Sequence, residues 1–211
     1  MKLFIYEHCP FCIRARMIFG LKQVPLELNV ILEGDIETPT KLVGRKVVPI
    51  IQKTDGTYMP ESMDIVNYVD ELSSPKLLIE PADKNIEEWC RNITRTVFNL
   101  AIPRFTKADF AELNTTEARK AYTEREIKAF GNLDELIART DEFTHEVIEA
   151  LKSIEDYLAN KDKVTLTDFY LFPVLNSLTI VKDFPFTPAL NHYLHTVSQA
   201  CNVPVFINKA I

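Results

Sequence analysis

The stretch EHCPFCIRAR, residues 7–16, carries two of the four cysteines of the chain, three positions apart. It follows a short apolar run typical of a buried strand and precedes apolar residues at helical spacing. Proline is favoured at the first position of a helix, so Pro10 predicts that Cys9 is the N-cap and that Cys12 lies about one turn inside. The sequence therefore places both thiols where a strand ends and a helix begins.

A helix N-terminus favours a thiolate, because it presents unpaired N–H groups and a partial positive charge. We expect Arg14, Arg16 and Lys22 to add positive charge nearby. Such surroundings lower a cysteine pKa from near 8.5 to roughly 3.5–7.5. Cys9 is therefore predicted to be an exposed nucleophile, and Cys12 is placed to close a disulfide with it.

Two other interpretations of the pair stay open. A structural zinc site normally needs four ligands; the pair could recruit His8, but Cys90 and Cys201 stand alone in the sequence. The two cysteines could also pack as small hydrophobic residues. We expect His8 to be a solvated neighbour of the site, with a role in proton transfer as the alternative. We expect Cys90 and Cys201 to pack in the core.

The composition is that of a globular protein, with 211 residues, 46% hydrophobic and 26% charged. The net charge of −6 argues against nucleic acid as the main partner, which calls for clustered Lys and Arg. The first residues lack the apolar core of a signal peptide, and no stretch approaches the roughly 20 apolar residues that span a membrane. We therefore expect a cytoplasmic protein with no membrane partner, in a compartment where structural disulfides are rare.

The chain divides by pattern into two parts. Residues 1–72 alternate strand and helix signals and predict a small α/β domain. Residues 73–84, with two prolines and no periodicity, predict a linker. Residues 85–211 show helical patterns only and predict an all-α domain, with helices over about 85–105, 116–130, 133–158, 166–181 and 189–200. Thr165 and Asp168 have the spacing of a capping box at the fourth of these helices.

Two further stretches are candidates for binding a substrate of the cysteine pair. In VVPI, Pro49 opens a strand, and the Val48–Pro49 bond is one where a cis peptide is readily tolerated; a proline that merely starts an edge strand explains it equally well. In MPESMD, Glu61 and Ser62 begin a helix. Ser62 is most simply an N-cap, although a hydroxyl, free N–H groups and a carboxylate would also suit a ligand with a carboxylate and an ammonium group.

Together, C-P-F-C, V-P, E-S and a helical domain with a T-x-x-D cap resemble the glutaredoxins that have a glutathione-transferase-like fold. The resemblance covers essentially the whole chain. It implies a thioredoxin-like N-terminal domain joined to an all-α glutathione-transferase-like domain. It also implies a glutathione-dependent oxidoreductase that reduces protein disulfides and glutathione mixed disulfides and holds no metal.

The resemblance further assigns roles to individual residues. Cys9 would be the nucleophile and Cys12 the resolving thiol. Six residues would contact glutathione: Pro10, Phe11, Val48, Pro49, Glu61 and Ser62. Among these, Val48 would meet the cysteinyl backbone beside a cis-Pro49, and Glu61 with Ser62 would hold the γ-glutamyl end. Many glutaredoxins have Tyr where this chain has Phe11, which puts any role of a hydroxyl there in doubt.

Three rival functions remain at this point. A glutathione transferase would conjugate an electrophile and would not need Cys12. A thioredoxin usually reads W-C-G-P-C, which is absent from this sequence. A zinc-holding or scaffold protein would be inert toward mixed disulfides. Expected partners are glutathione and disulfide-containing or glutathionylated proteins, and we expect a monomer.

Overall fold

The computed structural model describes residues 1–72 and 74–211. Its first part is built on one four-stranded sheet in the order β2-β1-β3-β4. β1 pairs parallel to β2 and antiparallel to β3, and β3 pairs antiparallel to β4. The strands are β1 (Lys2–Ile5), β2 (Glu27–Val30), β3 (Ile50–Gln52) and β4 (Tyr58–Pro60).

Three helices accompany this sheet: α1 (Pro10–Leu21), α2 (Glu37–Val43) and α3 (Ser62–Glu71). α1 is the crossover that the parallel pair β1 and β2 requires. The sequence patterns did not predict α2. This helix is short and has no apolar stripe, and its buried residue is Pro39. The other elements of this part were predicted, with ends that differ by a few residues.

The remainder of the described chain is helical, as predicted. Its helices are α4 (Lys84–Phe105), α5 (Thr116–Phe130), α6 (Leu133–Ala138), α7 (Thr140–Leu151), α8 (Glu155–Ala159), α9 (Asp168–Ser177) and α10 (Pro188–Cys201). The prediction of one helix over 133–158 was wrong. The chain turns at Arg139 (φ −98°, ψ 19°) and tightens to a 3₁₀ turn at residues 152–154, while the apolar spacing continues across both breaks.

α1 joins the two parts of the molecule. It contacts α3 on one side and α9 and α10 on the other. Near its end, Gly20 lies directly against the backbone of Cys201, where an added Cβ would sit 1.7 Å from the carbonyl oxygen. Only a residue without a side chain permits this approach, so Gly20 determines how closely α1 and α10 pack.

Asp168 organises the centre of the helical part. Its fully buried carboxylate accepts hydrogen bonds from Thr165 N (2.7 Å), Tyr157 (3.0 Å) and Tyr193 (3.0 Å), and forms an ion pair with Lys161 (2.8 Å). The predicted contact between the Asp168 carboxylate and Thr165 N is therefore present, but α9 begins at Asp168 with Thr167 as its N-cap, so Thr165 does not cap the helix. The Thr165 hydroxyl, however, bonds the carboxylate itself (3.1 Å) and caps no helical N–H.

The predicted order, an α/β part followed by an all-α part, is confirmed. The linker limits of 73 and 84 stay a prediction, and Ser73 lies outside the described residues. Within the part of the chain that the structure describes, no helix is long and apolar enough to cross a membrane.

Candidate active site

Cys9 stands at the N-terminus of α1, as predicted. It is the N-cap, with extended backbone (φ −68°, ψ 122°), and Pro10 is the first helical residue. Its carbonyl accepts the first helical hydrogen bond, from Ile13 N at 2.9 Å. Cys9 is partly exposed, whereas Cys12 is fully buried one turn later, and both are free thiols.

The pKa of Cys9 is lowered from 9.0 to about 7. The largest cause is a hydrogen bond from the Cys12 side chain, which stabilises the Cys9 thiolate. Burial opposes this effect, and the backbone N–H groups of Cys12 and Phe11 and the charge of His8 add to the lowering. The expected shift is confirmed, and its main source is the second cysteine.

Cys12 has the opposite character. Burial raises its pKa well above 9.0, and the hydrogen bond and negative charge of Cys9 raise it further. Its sulfur also accepts a hydrogen bond from Tyr6 N at 3.4 Å. One thiol of the pair is therefore ionised near neutral pH while the other keeps its proton.

Two of the basic residues expected around Cys9, Arg14 and Lys22, have other partners. Arg14 donates through Nε to Phe169 O at 2.7 Å and through Nη1 to the Ser62 hydroxyl at 3.5 Å. Lys22 forms an ion pair with Asp70 at 3.3 Å, beyond the far end of α1. Arg14 does interact electrostatically with Cys9, but these side chains serve mainly to fasten α1 to its surroundings.

The expectation that His8 is solvated is wrong. His8 is only 4% exposed, and its Nδ1 lies 2.6 Å from Oε1 of Glu112 in the helical part. The same oxygen accepts the His8 backbone N–H at 3.1 Å. His8 holds the pKa of Glu112 below its usual value although burial opposes this. A hydrogen-bonded histidine–carboxylate pair between the two parts of the molecule thus lies next to Cys9.

Five of the residues predicted to contact glutathione line one groove of about 460 Å³. They are Phe11, Val48, Pro49, Glu61 and Ser62. Tyr6, Lys46, Val47 and Arg125 complete its lining. The Val48–Pro49 peptide is cis. The groove joins residues from three separate sequence motifs.

The start of α3 is arranged differently from a simple N-cap. Ser62 is the first helical residue and Glu61 precedes it with a positive φ of 71°. The simplest interpretation, Ser62 as the N-cap, is therefore wrong by one position. Non-glycine residues at positive φ are uncommon and cluster at functional sites. The Glu61 carboxylate is exposed and pairs with Arg45 at 2.5 Å.

A second cavity of about 300 Å³ adjoins the groove and shares four lining residues with it: Tyr6, Phe11, Val48 and Arg125. Cys9 and Pro10 line this cavity and not the groove. Its opposite wall comes from the helical part: Phe98, Ile102, Phe105, Tyr122, Glu126 and Phe130. Cys9 thus lies at the boundary between a mixed groove and a mainly apolar cavity.

Arg125 and Tyr122 were missed by sequence reasoning. Both lie on α5, a predominantly polar helix on which no apolar stripe points toward the cysteines. Arg125 donates a hydrogen bond to Oε2 of buried Glu33 at 3.0 Å, and its Nη2 forms an ion pair with Oε1 at 2.8 Å. Lys46 lies 3.8 Å from the same carboxylate. The long separation between Glu33 and Arg125 leaves no local signal from which this contact could be found.

No three His, Cys, Asp or Glu side chains among residues 1–72 and 74–211 are grouped so that they could hold a metal ion. Cys90 and Cys201 are buried in the core, as predicted, and burial raises the pKa of each to about 12.

Comparison with known proteins gives a consistent result. Residues 85–210 match the family described as glutaredoxin 2, C-terminal domain, and residues 3–77 match the glutathione S-transferase N-terminal domain. The chain is 40% identical to glutaredoxin 2 of Escherichia coli (strain K12) over 215 residues, which cover all of both proteins.

Solved structures agree. The crystal structure of glutaredoxin 2 from Salmonella typhimurium in complex with glutathione matches with a TM-score of 0.95 and 37% identity, covering 100% of this chain and 98% of that one. The glutathione transferase GSTFuA3 of Phanerochaete chrysosporium, at 14% identity, shares the fold with a TM-score of 0.73 over 94% of this chain and 96% of that one. A thioredoxin-like domain followed by a helical glutathione-transferase-like domain is therefore confirmed, and the chain belongs to the glutaredoxin 2 family.

Proposed function

We propose that this protein is a glutathione-dependent thiol–disulfide oxidoreductase, in which Cys9 is the nucleophile and Cys12 the resolving thiol. The observation that carries the proposal is the asymmetric pair at the start of α1. Cys9 has a pKa of about 7 and is partly exposed, while buried Cys12 stays protonated and donates to it. A thiolate with such a pKa is both a nucleophile at neutral pH and a good leaving group.

Glutathione occupies the 460 Å³ groove in this proposal. The γ-glutamyl carboxylate lies at the free N–H groups at the start of α3, beside Ser62, and its ammonium group lies near Glu61. The cysteinyl backbone runs along Val48 and cis-Pro49, and Pro10 and Phe11 flank the sulfur. The related Salmonella protein was crystallised in complex with glutathione, which supports glutathione as the ligand.

Reduction of a glutathione mixed disulfide needs only Cys9. Its thiolate attacks the glutathione sulfur, the bond to the substrate sulfur breaks, and the substrate leaves as a thiolate. A second glutathione thiolate then attacks the Cys9–glutathione disulfide, which releases oxidised glutathione and restores the Cys9 thiolate.

Reduction of a protein disulfide uses both cysteines. Cys9 attacks one substrate sulfur, and Cys12 then attacks Cys9, which releases the second substrate thiol and leaves a Cys9–Cys12 disulfide. Two glutathione molecules reduce it. The ionised Cys9 raises the pKa of Cys12, so loss of that charge in the mixed disulfide makes Cys12 easier to deprotonate when it must act.

The test is to trap the adduct. Cys12→Ser is incubated with oxidised glutathione, and mass spectrometry of the proteolysed protein locates any added glutathione. We expect one glutathione on Cys9, and continued reduction of glutathione mixed disulfides with loss of dithiol disulfide reduction. Adduct formation on Cys90 or Cys201, or turnover by Cys9→Ser, would contradict the assignment. Conjugation of an electrophile to glutathione, assayed on the same preparation, measures the transferase alternative.

We further propose that disulfide-containing or glutathionylated proteins are its substrates, that it acts as a monomer in the cytoplasm, and that residues 73–84 link domains 1–72 and 85–211. A reducing glutathione pool supports this location, because the catalytic cycle consumes reduced glutathione. Size-exclusion chromatography with light scattering tests the monomer, and cell fractionation tests the location.

A further inference from the structure

The junction between the two parts of the molecule contains a buried carboxylate that the redox cycle above does not use. Glu112 lies in a 3₁₀ turn (Ala111–Leu113) of the helical part and is 0% exposed. Its Oε1 contacts both Nδ1 and the backbone N–H of His8, while its Oε2 has no hydrogen-bond partner within residues 1–72 and 74–211. Burying a carboxylate with one oxygen unpaired costs free energy, so its presence here needs a physical reason.

The turn that carries Glu112 is held against the first part of the chain by its backbone. Ala111 N donates to Oε2 of Glu7 at 3.1 Å, and the carbonyl of Glu112 accepts from Glu33 N at 2.9 Å. These two hydrogen bonds fix the turn on either side of the Glu112 side chain. The carboxylate therefore holds the His8 ring in one orientation, directly before Cys9 in the chain.

The contact between Glu112 and His8 determines which ring nitrogen carries a proton. Burial raises the pKa of Glu112, but its interactions with His8 lower it, and the net shift is downward. The carboxylate is then ionised and can only accept, so Nδ1 of His8 donates. An anion at this distance favours a protonated imidazole. The hydrogen bond from Cys12 is the largest cause of the lowered Cys9 pKa, and the interaction with His8 contributes to it. Glu112 is thus connected to Cys9 through one ring.

Other ionisable groups also surround this pair. Arg16 and Cys12 on α1 interact electrostatically with Glu112. Arg125 on α5 is already paired with buried Glu33. The remaining ionisable groups that line a cavity together with His8 are Tyr6, Cys9, Tyr122 and Glu126. Within the part of the chain that the structure describes, the side chain that hydrogen-bonds His8 is Glu112.

We propose that Glu112 is a positioning residue: it holds the imidazole of His8 beside Cys9, and the helical part of the molecule thereby controls the reactivity of the thiol. This rests on the proposed function and adds to it a control that crosses between the two parts. The sign of the effect separates this route from a direct one. A carboxylate that acts directly on a thiol raises its pKa, as Glu112 does in small part at Cys12. Acting through His8, Glu112 instead favours the Cys9 thiolate.

The test measures how the rate of Cys9 alkylation by iodoacetamide depends on pH, with peptide mapping of the modified site. Glu112→Gln keeps the size of the side chain and an oxygen that can accept both hydrogen bonds, but it removes the charge. We expect the midpoint to rise from about 7 by about one pH unit. Glu7→Gln is the matched control, because it removes a carboxylate from the same junction and keeps an acceptor for Ala111 N. Its midpoint should stay in place or fall.

A double variant tests the route through His8. If Glu112 acts through this ring, His8→Gln combined with Glu112→Gln should show no further rise of the midpoint above that of His8→Gln alone. Additive rises would overturn the proposal. An unchanged or lowered midpoint in Glu112→Gln would also overturn it, and if urea unfolding then showed lost stability, Glu112 would only join the two parts.

A measurement on the unmodified protein applies even if Glu112→Gln does not fold. In nuclear magnetic resonance spectra of protein with isotope-labelled histidine, Nδ1 of His8 should carry a proton at neutral pH. An unprotonated Nδ1 would overturn the proposal. The proposed function is tested separately: if the unmodified protein reduces no glutathione mixed disulfide, that function fails, and the control of Cys9 by Glu112 is then decided by the midpoints alone.

Discussion

The cysteines at the two ends of α1 have thiol pKa values shifted in opposite directions. At its N-terminus, Cys9 receives hydrogen bonds from a second thiol and from backbone N–H groups, and its pKa is about 7. Near its other end, Cys201 closes α10 against Gly20 and burial raises its pKa to about 12. Both cysteines adjoin the same helix, Cys201 through its backbone, so proximity to α1 does not explain the difference.

The difference shows what makes a thiol reactive. Burial disfavours the thiolate in both places, because charge is poorly solvated in the interior. At Cys9, aligned donors overcome that penalty, whereas at Cys201 burial is the largest influence and the negative charge of Asp168 adds to it. Donor groups aimed at the sulfur therefore decide between a reactive cysteine and a packing cysteine.

The largest difference in activity should appear between variants that lack the sulfur of Cys9 and variants that lack the sulfur of Cys201. We expect Cys9→Ser to lower glutathione-dependent reduction of a mixed disulfide by about a thousandfold or more, since an alcohol is not ionised at neutral pH. Cys201→Ala should keep the kcat/KM of the unmodified protein and lose about 1 kcal/mol of unfolding free energy through lost packing. Equal activity losses in the two variants would contradict the conclusion that Cys9 is reactive and Cys201 only packs.

The next effect concerns packing at the Cys201 end. Alanine usually stabilises a helix relative to glycine by up to about 1 kcal/mol. At Gly20 the added Cβ would meet the Cys201 carbonyl oxygen at 1.7 Å, so Gly20→Ala should instead destabilise the protein by about 3 kcal/mol. Urea unfolding gives the free energy. Gly44→Ala is the control, because its Cβ would meet nothing within 4 Å and only its positive φ of 79° is strained.

The pH dependence of alkylation sharpens the comparison further. The pKa of Cys9 is lowered, so its thiolate is present above about pH 7 and is lost as the pH falls through that value. Iodoacetamide should modify Cys9 at a rate that is half-maximal near pH 7 and falls about tenfold for each pH unit below it. Cys90 and Cys201 should not react in this window, which peptide mapping of the modified sites would verify. A midpoint near 9 would show that the donors do not act on Cys9.

The smallest effect tests the contribution of His8. His8→Gln keeps a hydrogen-bonding group for Glu112 and removes the imidazole whose electrostatic interaction helps to lower the pKa of Cys9. The midpoint of thiolate absorbance should therefore rise from about 7 toward 9, with a few-fold loss of activity at neutral pH. His195→Gln, on the exposed side of α10, is the control and should leave the midpoint in place. An unchanged midpoint in His8→Gln would remove His8 from the account.

Local sequence patterns predicted most of the elements. The helix N-terminus at Cys9 and Pro10 follows from proline chemistry, and the all-α second part follows from apolar spacing. They failed where local signals are weak: α2 lacks an apolar stripe, and the breaks between α6, α7 and α8 interrupt no spacing. The spacing of apolar residues shows which face of a helix is buried, but it does not show where the backbone turns.

The candidate site was predictable only on the side formed by residues 1–72. Cys9, Cys12, Val48, Pro49, Glu61 and Ser62 belong to short motifs and were named from them. The prediction that His8 is solvated was wrong, because its partner Glu112 lies 104 positions away in the chain and covers it. Tyr122 and Arg125 were missed for the same reason, since their position beside Cys9 depends on how α5 docks.

The sequence by itself determined the chemistry that is available: two thiols at a helix start, a proline-bounded strand and an acidic–serine helix start. Each is a local property, fixed by backbone geometry over a few residues. Only the tertiary structure decided how ionised Cys9 is and what faces it, because burial, the His8–Glu112 pair and the cavity wall at Tyr122 arise from contacts between distant segments. Electrostatic interactions depend on distance in space and on exclusion of water, neither of which a linear pattern contains.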